Sequence, residues 1–232
     1  MSHAGPSLEE ELERARDLSV SDLADAIESI GFECTRCGAC CKGHGEEGDR
    51  EPHTATVFPD EVRELQAATD DEREWRDVAR PMPYGLSEGD DGPEGETFEW
   101  ALQTDACGDC VFYEESETGG ETRGACTVHD DRPLICETYP FSVGLGGTSQ
   151  PMGEAVDEEG MVRAHECEGL GRDISRGDAE ELAGALKERA VRELEEAIGV
   201  RDEYRPVDTG PGEVVVHDSE GAKRPDGSVV DD

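Results

Sequence analysis

The sequence predicts an irregular α+β fold, in which helices near both ends of the chain pack around loops and a few short strands. Three observations lead to this prediction. Apolar residues recur at helical spacing near both ends, the strand-like runs are short and scattered, and the centre is rich in Gly, Pro, Asp and Glu. We expect a helical segment over residues 1–31, a cysteine-rich domain over 32–171, a helix packing on it over 172–200, and a loose acidic tail over 201–232.

Two helices are predicted before residue 32. Ser7 and Glu10 have the spacing of a capping box, in which each side chain satisfies a backbone N–H at the start of a helix. A second, short helix is predicted to start after Ser21. Gly31 is well placed to end it in the left-handed conformation.

The later helices are predicted from the same kinds of signal. Pro59 opens a helix that resumes through Val78, because proline is favoured at the first helical position. The best-supported helix is predicted to begin at Asp178 and to end at Gly199.

The strand signals are weaker, and one stretch has none. Residues 85–97 have the Gly, Asp, Glu and Pro content of a surface loop. Short strands are predicted at 98–102, 111–113, 139–145, 160–164 and 214–216.

The chain is strongly acidic, with 59 Asp and Glu against 21 Lys and Arg and a net charge of −38. Acidic residues are spread along the whole chain and only three lysines are present, which favours a protein adapted to molar salt over one that binds a basic partner. No basic patch is available to neutralise phosphates, so nucleic-acid binding is not expected.

Composition also bears on the compartment. No run approaches the ~20 consecutive apolar residues of a membrane helix, and the first residues lack the basic and apolar regions of an export signal. We therefore expect a cytoplasmic protein with no membrane association. In that reducing compartment, nine cysteines indicate metal ligands or redox groups rather than structural disulfides.

The most informative feature is a C-x-x-C-x-x-C-C cluster, formed by Cys34, Cys37, Cys40 and Cys41. A C-x-x-C turn lets two thiolates approach one ion, and three cysteines at this spacing resemble the start of a bacterial ferredoxin run. Adjacent Cys40 and Cys41 are expected to diverge and so to serve two neighbouring centres rather than one tetrahedral ion.

Five further cysteines follow. Cys107 and Cys110 form a C-x-x-C pair, Cys126 and Cys136 bracket His129, and Cys167 precedes Glu-Gly-Leu-Gly. Inert buried thiols, a disulfide scaffold and a thioredoxin-like dithiol each explain this pattern less well than metal does. His129 could be a ligand, although a turn residue bonded to backbone is the commoner role for such a histidine.

These motifs resemble the YkgJ family of cysteine-cluster proteins over roughly residues 32–171. The opening cluster matches the family pattern, and Cys110-Val-Phe matches a single cysteine before Phe. The longest match is C-x-V/I-H/Y-x-x-R-P-x-x-C-x-x-Y-P-F, here from Cys126 to Phe141, and the closing element is Cys167-Glu-Gly-Leu-Gly. Two features depart from the pattern: Cys107 is extra, and Glu168 stands where the family often has Pro.

The resemblance implies a domain that chelates iron or zinc through eight cysteines, which would suit two four-thiolate sites or one cluster plus free thiols. The implied ligands are Cys34, Cys37, Cys40, Cys41, Cys110, Cys126, Cys136 and Cys167. It implies no settled reaction and no catalytic residue.

Three functional hypotheses follow. The favoured one is an iron–sulfur protein with a redox or electron-transfer role and a redox protein as partner. The second is a zinc-stapled structural or interaction module. The third is an enzyme with a catalytic metal, such as an iron–sulfur oxidoreductase, for which the sequence shows no substrate motif.

Overall fold

The computed structural model of the protein describes residues 5–45, 50–69, 72–90, 92–118, 121–145, 154–155 and 160–230. The helices are α1 (Leu8–Asp17), α2 (Val20–Ile30), α3 (Pro59–Ala68), α4 (Trp75–Val78), α5 (Leu134–Thr138) and α6 (Arg176–Glu203). The strands are β1 (Thr56–Val57), β2 (Ala79–Pro81), β3 (Ser87–Gly89), β4 (Gly92–Thr97), β5 (Trp100–Leu102), β6 (Tyr113–Thr118), β7 (Glu121–Cys126), β8 (Phe141–Val143), β9 (Glu154–Ala155), β10 (Val162–Ala164), β11 (Val214–Asp218) and β12 (Gly221–Lys223). Helices and sheets coexist, so the predicted α+β class is confirmed.

The chain divides into two compact units, each built from two separate segments. The first unit comprises Met1–Cys37 and Leu134–Ile198, and the second comprises Gly38–Pro133 and Gly199–Asp232. These boundaries differ from the sequence-based division, which kept residues 32–171 together. The difference arises because each unit is completed by a segment distant in sequence, and local patterns do not report such contacts.

The first unit has a hydrophobic core made by its helices and a three-stranded sheet. Leu23 and Ile27 of α2 are buried together with Leu186 and Leu194 of α6. The antiparallel sheet, in the order β8-β10-β9, adds Phe141 to the same core. The N-terminal helices and the long C-terminal helix therefore pack into one body, as amphipathic helices require.

The helix starts follow from capping. Ser7 and Glu10 form the predicted capping box on α1. Helix α2 begins earlier than expected, because Ser19 rather than Ser21 accepts the hydrogen bond from the Asp22 backbone N–H.

Helix α6 extends beyond both predicted ends. Ser175 accepts a hydrogen bond from the Asp178 backbone N–H at 3.1 Å, which moves the start to Arg176. The helix also continues past Gly199 to Glu203, since a glycine inside a helix costs only about 1 kcal/mol. A Cβ at Gly199 would lie 2.5 Å from the Cβ of Ser219, so glycine there permits a close approach rather than ending the helix.

The second unit contains most of the strands. A three-stranded antiparallel sheet has the order β1-β5-β2, a four-stranded sheet has the order β12-β11-β4-β3, and β6 pairs with β7 as a hairpin. The prediction of a surface loop over residues 85–97 is wrong, because β3 and β4 occupy most of it. Strand β4 pairs in parallel with β11, a partner more than a hundred residues away that composition alone does not reveal.

The C-terminal segment is folded, and the prediction of a loose tail over residues 201–232 is wrong for its described part. Val215 and Val216 of β11 are buried. Lys223 of β12 is also buried, and its ammonium lies 2.7 Å from the carboxylate of Asp218. That carboxylate in turn accepts a hydrogen bond from the Trp100 indole at 2.8 Å. A paired buried charge anchors the segment where large apolar residues are few.

Four of the five predicted strand segments contain a strand, namely 98–102, 139–145, 160–164 and 214–216, while 111–113 only reaches the start of β6. Within the described ranges, no helix is long and apolar enough to cross a membrane.

The ion pair at Lys223 yields a stability prediction. Replacing Lys223 with Ala leaves the Asp218 carboxylate buried without its cation, so the free energy of unfolding is expected to fall by about 3–5 kcal/mol. Denaturant unfolding at constant KCl measures this change. The neighbouring Arg224 is exposed, and Arg224→Ala is expected to change stability by no more than about 0.5 kcal/mol. Equal unfolding free energies for the two variants would show that the buried pair does not anchor the segment.

Candidate metal centres

The eight cysteines with family-pattern counterparts fall into two groups of four, one in each compact unit. The boundary between the units lies between Cys37 and Gly38 and divides the opening motif. The first-unit set is Cys34, Cys37, Cys136 and Cys167, and the second-unit set is Cys40, Cys41, Cys110 and Cys126. All nine cysteines lie in the described ranges, and they carry thiols rather than disulfides.

A tight turn brings Cys40 and Cys41 together. Gly38 has a φ of 77°, which is costly for other residues, and its carbonyl accepts a hydrogen bond from the Cys41 N–H at 2.9 Å. The resulting 3₁₀ turn, Ala39–Cys41, places the two Sγ atoms 3.8 Å apart. The expectation that these neighbouring side chains diverge is therefore wrong: in the 3₁₀ turn the two thiols lie on the same side.

Backbone pairing brings the other two members of the second-unit set to this turn. The Cys110 N–H donates to the Cys41 carbonyl at 2.8 Å. Cys126 ends β7 and pairs with Tyr113, the first residue of β6. The Tyr113 side chain covers Gly38 so closely that a Cβ there would overlap its hydroxyl. The β6–β7 hairpin thus carries Cys126 to the loop that holds Cys40 and Cys41.

The thiols of this set have unequal acidities. The hydrogen bond with Cys41 lowers the pKa of Cys40 to about 7, and the positive charge of Arg132 contributes to that decrease. Burial raises the pKa of Cys110 to about 11, with smaller increases from the charges of Cys126 and Cys40. Burial also raises the pKa of Cys126, which Arg132 partly offsets.

Cys107 lies in the second unit but differs from the set. Its side chain is exposed, whereas Cys110 is buried. Its backbone N–H donates to the Asp105 carboxylate at 2.8 Å, which also accepts from the Asp109 N–H at 3.0 Å. The Cys107–Cys110 segment is therefore held by a carboxylate within its own turn.

In the first-unit set, Cys34 and Cys167 lie on paired segments. The Glu33 N–H donates to the Gly169 carbonyl at 3.0 Å, directly before Cys34 and two residues after Cys167. The Gly169 N–H in turn donates to the Cys167 sulfur at 3.4 Å. Cys34 is exposed and Cys167 is half-buried.

The remaining members of the first-unit set lie on other elements. Cys37 is exposed and follows Arg36, whose φ of 59° is unusual for a residue other than glycine. Cys136 lies in α5, and the hydroxyl of nearby Tyr139 donates to the Glu166 carbonyl at 2.9 Å, next to Cys167. These four cysteines therefore lie in one unit, Cys136 in helix α5 and the other three in loops.

His129 points toward charged side chains rather than toward sulfur. Its Nε2 atom lies 2.5 Å from Nη1 of Arg132, and its Nδ1 atom lies 3.3 Å from the Asp130 carboxylate. It opens the 3₁₀ turn His129–Asp131 and is exposed. These contacts agree with a turn residue.

Whether a metal ion fits is judged from the donor side chains and from the distance between the Cys40 and Cys41 sulfurs. Across the described ranges, no three His, Cys, Asp or Glu side chains converge closely enough to hold an ion. Two sulfurs on one tetrahedral zinc lie about 3.8 Å apart, given a Zn–S bond of about 2.3 Å, and Cys40 and Cys41 are separated by 3.8 Å. This pair fits a single tetrahedral ion.

The cysteines and the Arg132-Pro133 motif are evident in the sequence. The pairing of β7 with β6, which brings Cys126 to the second-unit set, is not predicted from it.

A family model matches residues 33–168, and its family, CxxCxxCC, is described as a "putative zinc- or iron-chelating domain". No curated protein and no solved structure gives a significant match.

The unequal acidities predict which thiol reacts first. In reduced, metal-free protein at about pH 8, Cys40 is mostly thiolate and Cys110 mostly thiol, because the thiolate fraction rises only as pH passes each pKa. Cys40 is therefore expected to be alkylated more than about tenfold faster than Cys110. Peptide mass spectrometry after timed alkylation measures both rates. Denaturant should bring the two rates together, and equal rates in the folded protein would contradict the prediction.

Proposed function

The chain belongs to the CxxCxxCC family of zinc- or iron-chelating domains, and from this premise we propose that it holds two four-cysteine metal centres, one in each compact unit. The observation that carries the proposal is the division of the eight cysteines. Each unit contains four of these cysteines, two of which come from the opening motif. Four thiolates are the usual ligand number for structural zinc and for iron–sulfur centres.

For the second-unit set, the proposed ligand is a single ion bound by Cys40, Cys41, Cys110 and Cys126. In a four-iron cluster each cysteine holds a different iron, which separates the sulfurs more widely than one shared ion does. The 3.8 Å separation of the Cys40 and Cys41 sulfurs supports a shared ion. Binding requires the Cys110 and Cys126 side chains to close on it, and both residues are already tied to this region through the backbone.

The role of this centre is structural, and zinc is the ion that best suits it. Zinc has no redox chemistry and accepts tetrahedral thiolate coordination. Structural zinc contributes apparent free energies of about 10–16 kcal/mol in small peptides. One ion would join the turn at Gly38, the loop before β6 and the end of β7, which are three separate parts of the second unit.

A second candidate function, electron transfer by an iron–sulfur centre, is supported by features of the first-unit set. Cys34 and Cys37 are exposed, and the Gly169 N–H donates to the Cys167 sulfur at 3.4 Å. Hydrogen bonds to sulfur and exposure to solvent both tune the potential of such centres. This alternative implies a redox protein as partner and could extend to an oxidoreductase-like activity.

The proposed surroundings are a reducing cytoplasm at high salt. Thiolate ligands need a compartment that keeps cysteines reduced. At a net charge of −38, self-repulsion destabilises the compact state unless salt screens it.

Serine substitutions test the division into two centres. After anaerobic purification, Cys110→Ser is expected to lose the metal of the second-unit centre and to keep the other, and Cys136→Ser is expected to show the reverse, since removing one ligand weakens only its own site. Metal content and acid-labile sulfide are measured in each variant. Cys107→Ser is the matched control within the same turn and should keep both centres.

Three results would overturn the proposal: full metal content in Cys110→Ser, loss of metal in Cys107→Ser, or loss of all metal in either single variant that remains folded. Sulfide that disappears only in Cys136→Ser would support the iron–sulfur alternative for the first-unit set.

A further inference from the structure

Arg132 is held in place beside the second-unit set and has an unused donor. Its Nη1 atom lies 2.5 Å from Nε2 of His129. Its Nε atom is buried and has no hydrogen-bond partner among the residues that the structure describes. Buried polar groups normally have partners, so an orphaned guanidinium N–H suggests an acceptor that binds there.

The position of Arg132 indicates what that acceptor is. The 3₁₀ turn His129–Asp131 begins three residues after Cys126 and ends directly before Arg132. The Asp131 N–H donates to the Val128 carbonyl at 3.0 Å, which closes this turn two residues after Cys126. In agreement with this placement, the charge of Arg132 contributes to the lowered pKa of Cys40 and offsets part of the rise at Cys126. Arg132 therefore lies near the second-unit set, at the end of the turn that follows one of its members.

Electrostatics gives this placement a function. Four thiolates around a divalent cation leave two negative charges in excess, and the set lies partly buried. A neighbouring guanidinium balances part of that charge and can donate to sulfur, and hydrogen bonds to ionised acceptors are stronger than those between neutral groups. Partners that contact the ligands, rather than the metal, commonly tune metal affinity.

We propose that Arg132 is a positioning residue of the second-unit centre, which donates its buried N–H to a thiolate sulfur and thereby slows loss of the metal. This inference rests on the proposed function. His129 contacts Nη1 of the guanidinium and so restrains it, which leaves the buried Nε–H for another acceptor. A purely structural role, in which Arg132 only closes the turn with His129, is the alternative that the experiment distinguishes.

The test compares metal transfer in zinc-loaded Arg132→Gln, Arg132→Lys and wild-type protein. Each is mixed with a competing chelator, and alkylation of each cysteine is followed by peptide mass spectrometry. In Arg132→Gln, the alkylation rate of Cys110 and Cys126 is expected to rise by about 10- to 100-fold, because the positive charge and its hydrogen bond to sulfur are lost. Arg132→Lys keeps the positive charge but not the planar N–H donors of the guanidinium, so its alkylation rates should lie between those of wild-type and Arg132→Gln.

Two controls are built into the experiment. Arg123→Gln removes an exposed positive charge from β7 of the same unit and should leave the rates unchanged. Cys34 and Cys37 report the other unit within the same molecules, and their alkylation rate should not change in any Arg132 variant.

A spectroscopic readout separates a sulfur contact from a structural role. With cobalt(II) in place of zinc, loss of a donor to sulfur raises the energy of the thiolate lone pairs and shifts the sulfur-to-cobalt band to longer wavelength. The shift is expected in Arg132→Gln and not in Arg123→Gln. Wild-type rates and an unshifted band in Arg132→Gln would overturn the inference. If that variant fails to fold, a wild-type transfer rate and band in Arg132→Lys would do the same.

Failure of the proposed function has a different signature. If Cys110 and Cys126 of zinc-loaded wild-type protein are alkylated as fast as in metal-free protein, the second-unit centre does not exist. Arg132 then has no metal centre to stabilise.

Discussion

Thiolates that lie close together repel one another, and this constraint governs how the chain can fold around its cysteines. A thiol near a negative charge resists ionisation. Burial is the main cause of the raised pKa of Cys110, and the charges of Cys126 and Cys40 raise it further. A bound cation relieves the repulsion, and the same cysteines then cross-link the chain segments that carry them. In the second unit, that cross-link would connect the turn at Gly38 with Cys110, which precedes β6, and with Cys126, which ends β7. The positive charge of Arg132 also favours ionisation of Cys40.

The C-x-x-C-x-x-C-C motif is better understood as two halves than as one cluster. Gly38, with its left-handed backbone, begins the second unit directly after Cys37. Cys40 and Cys41 then lie in one turn, and their side chains point to the same side, with the two sulfurs 3.8 Å apart. The motif therefore contributes two cysteines to each unit, and each unit contains two more that are distant in sequence. Under the proposed function, this division supplies four ligands to each of two centres.

Local signals in the sequence predicted much of the fold. The capping box at Ser7, the proline at the start of α3 and the periodicity of α6 each depend on residues within a few positions, and each helix is present. The cysteines were recognisable as candidate ligands for the same reason, since spacing within a turn is a local property. The α+β class followed from these elements and is confirmed.

Features that depend on distant partners were not predictable. Residues 85–97 carry Gly, Asp and Glu, yet β4 is a strand because β11 pairs with it in parallel. The C-terminal segment is poor in large apolar residues but is fixed by the buried pair of Lys223 and Asp218. The grouping of Cys126 with Cys40 likewise depends on the β6–β7 hairpin and on where Tyr113 packs.

Native mass spectrometry of anaerobically purified protein in a volatile salt tests the division into two centres most directly, because it weighs the bound groups on each chain. The expected result is two separate metal groups per chain, at least one of them a single ion, which are lost one at a time as chelator is added. A single group per chain, or two that are always lost together, would contradict the division of the eight cysteines into two independent centres.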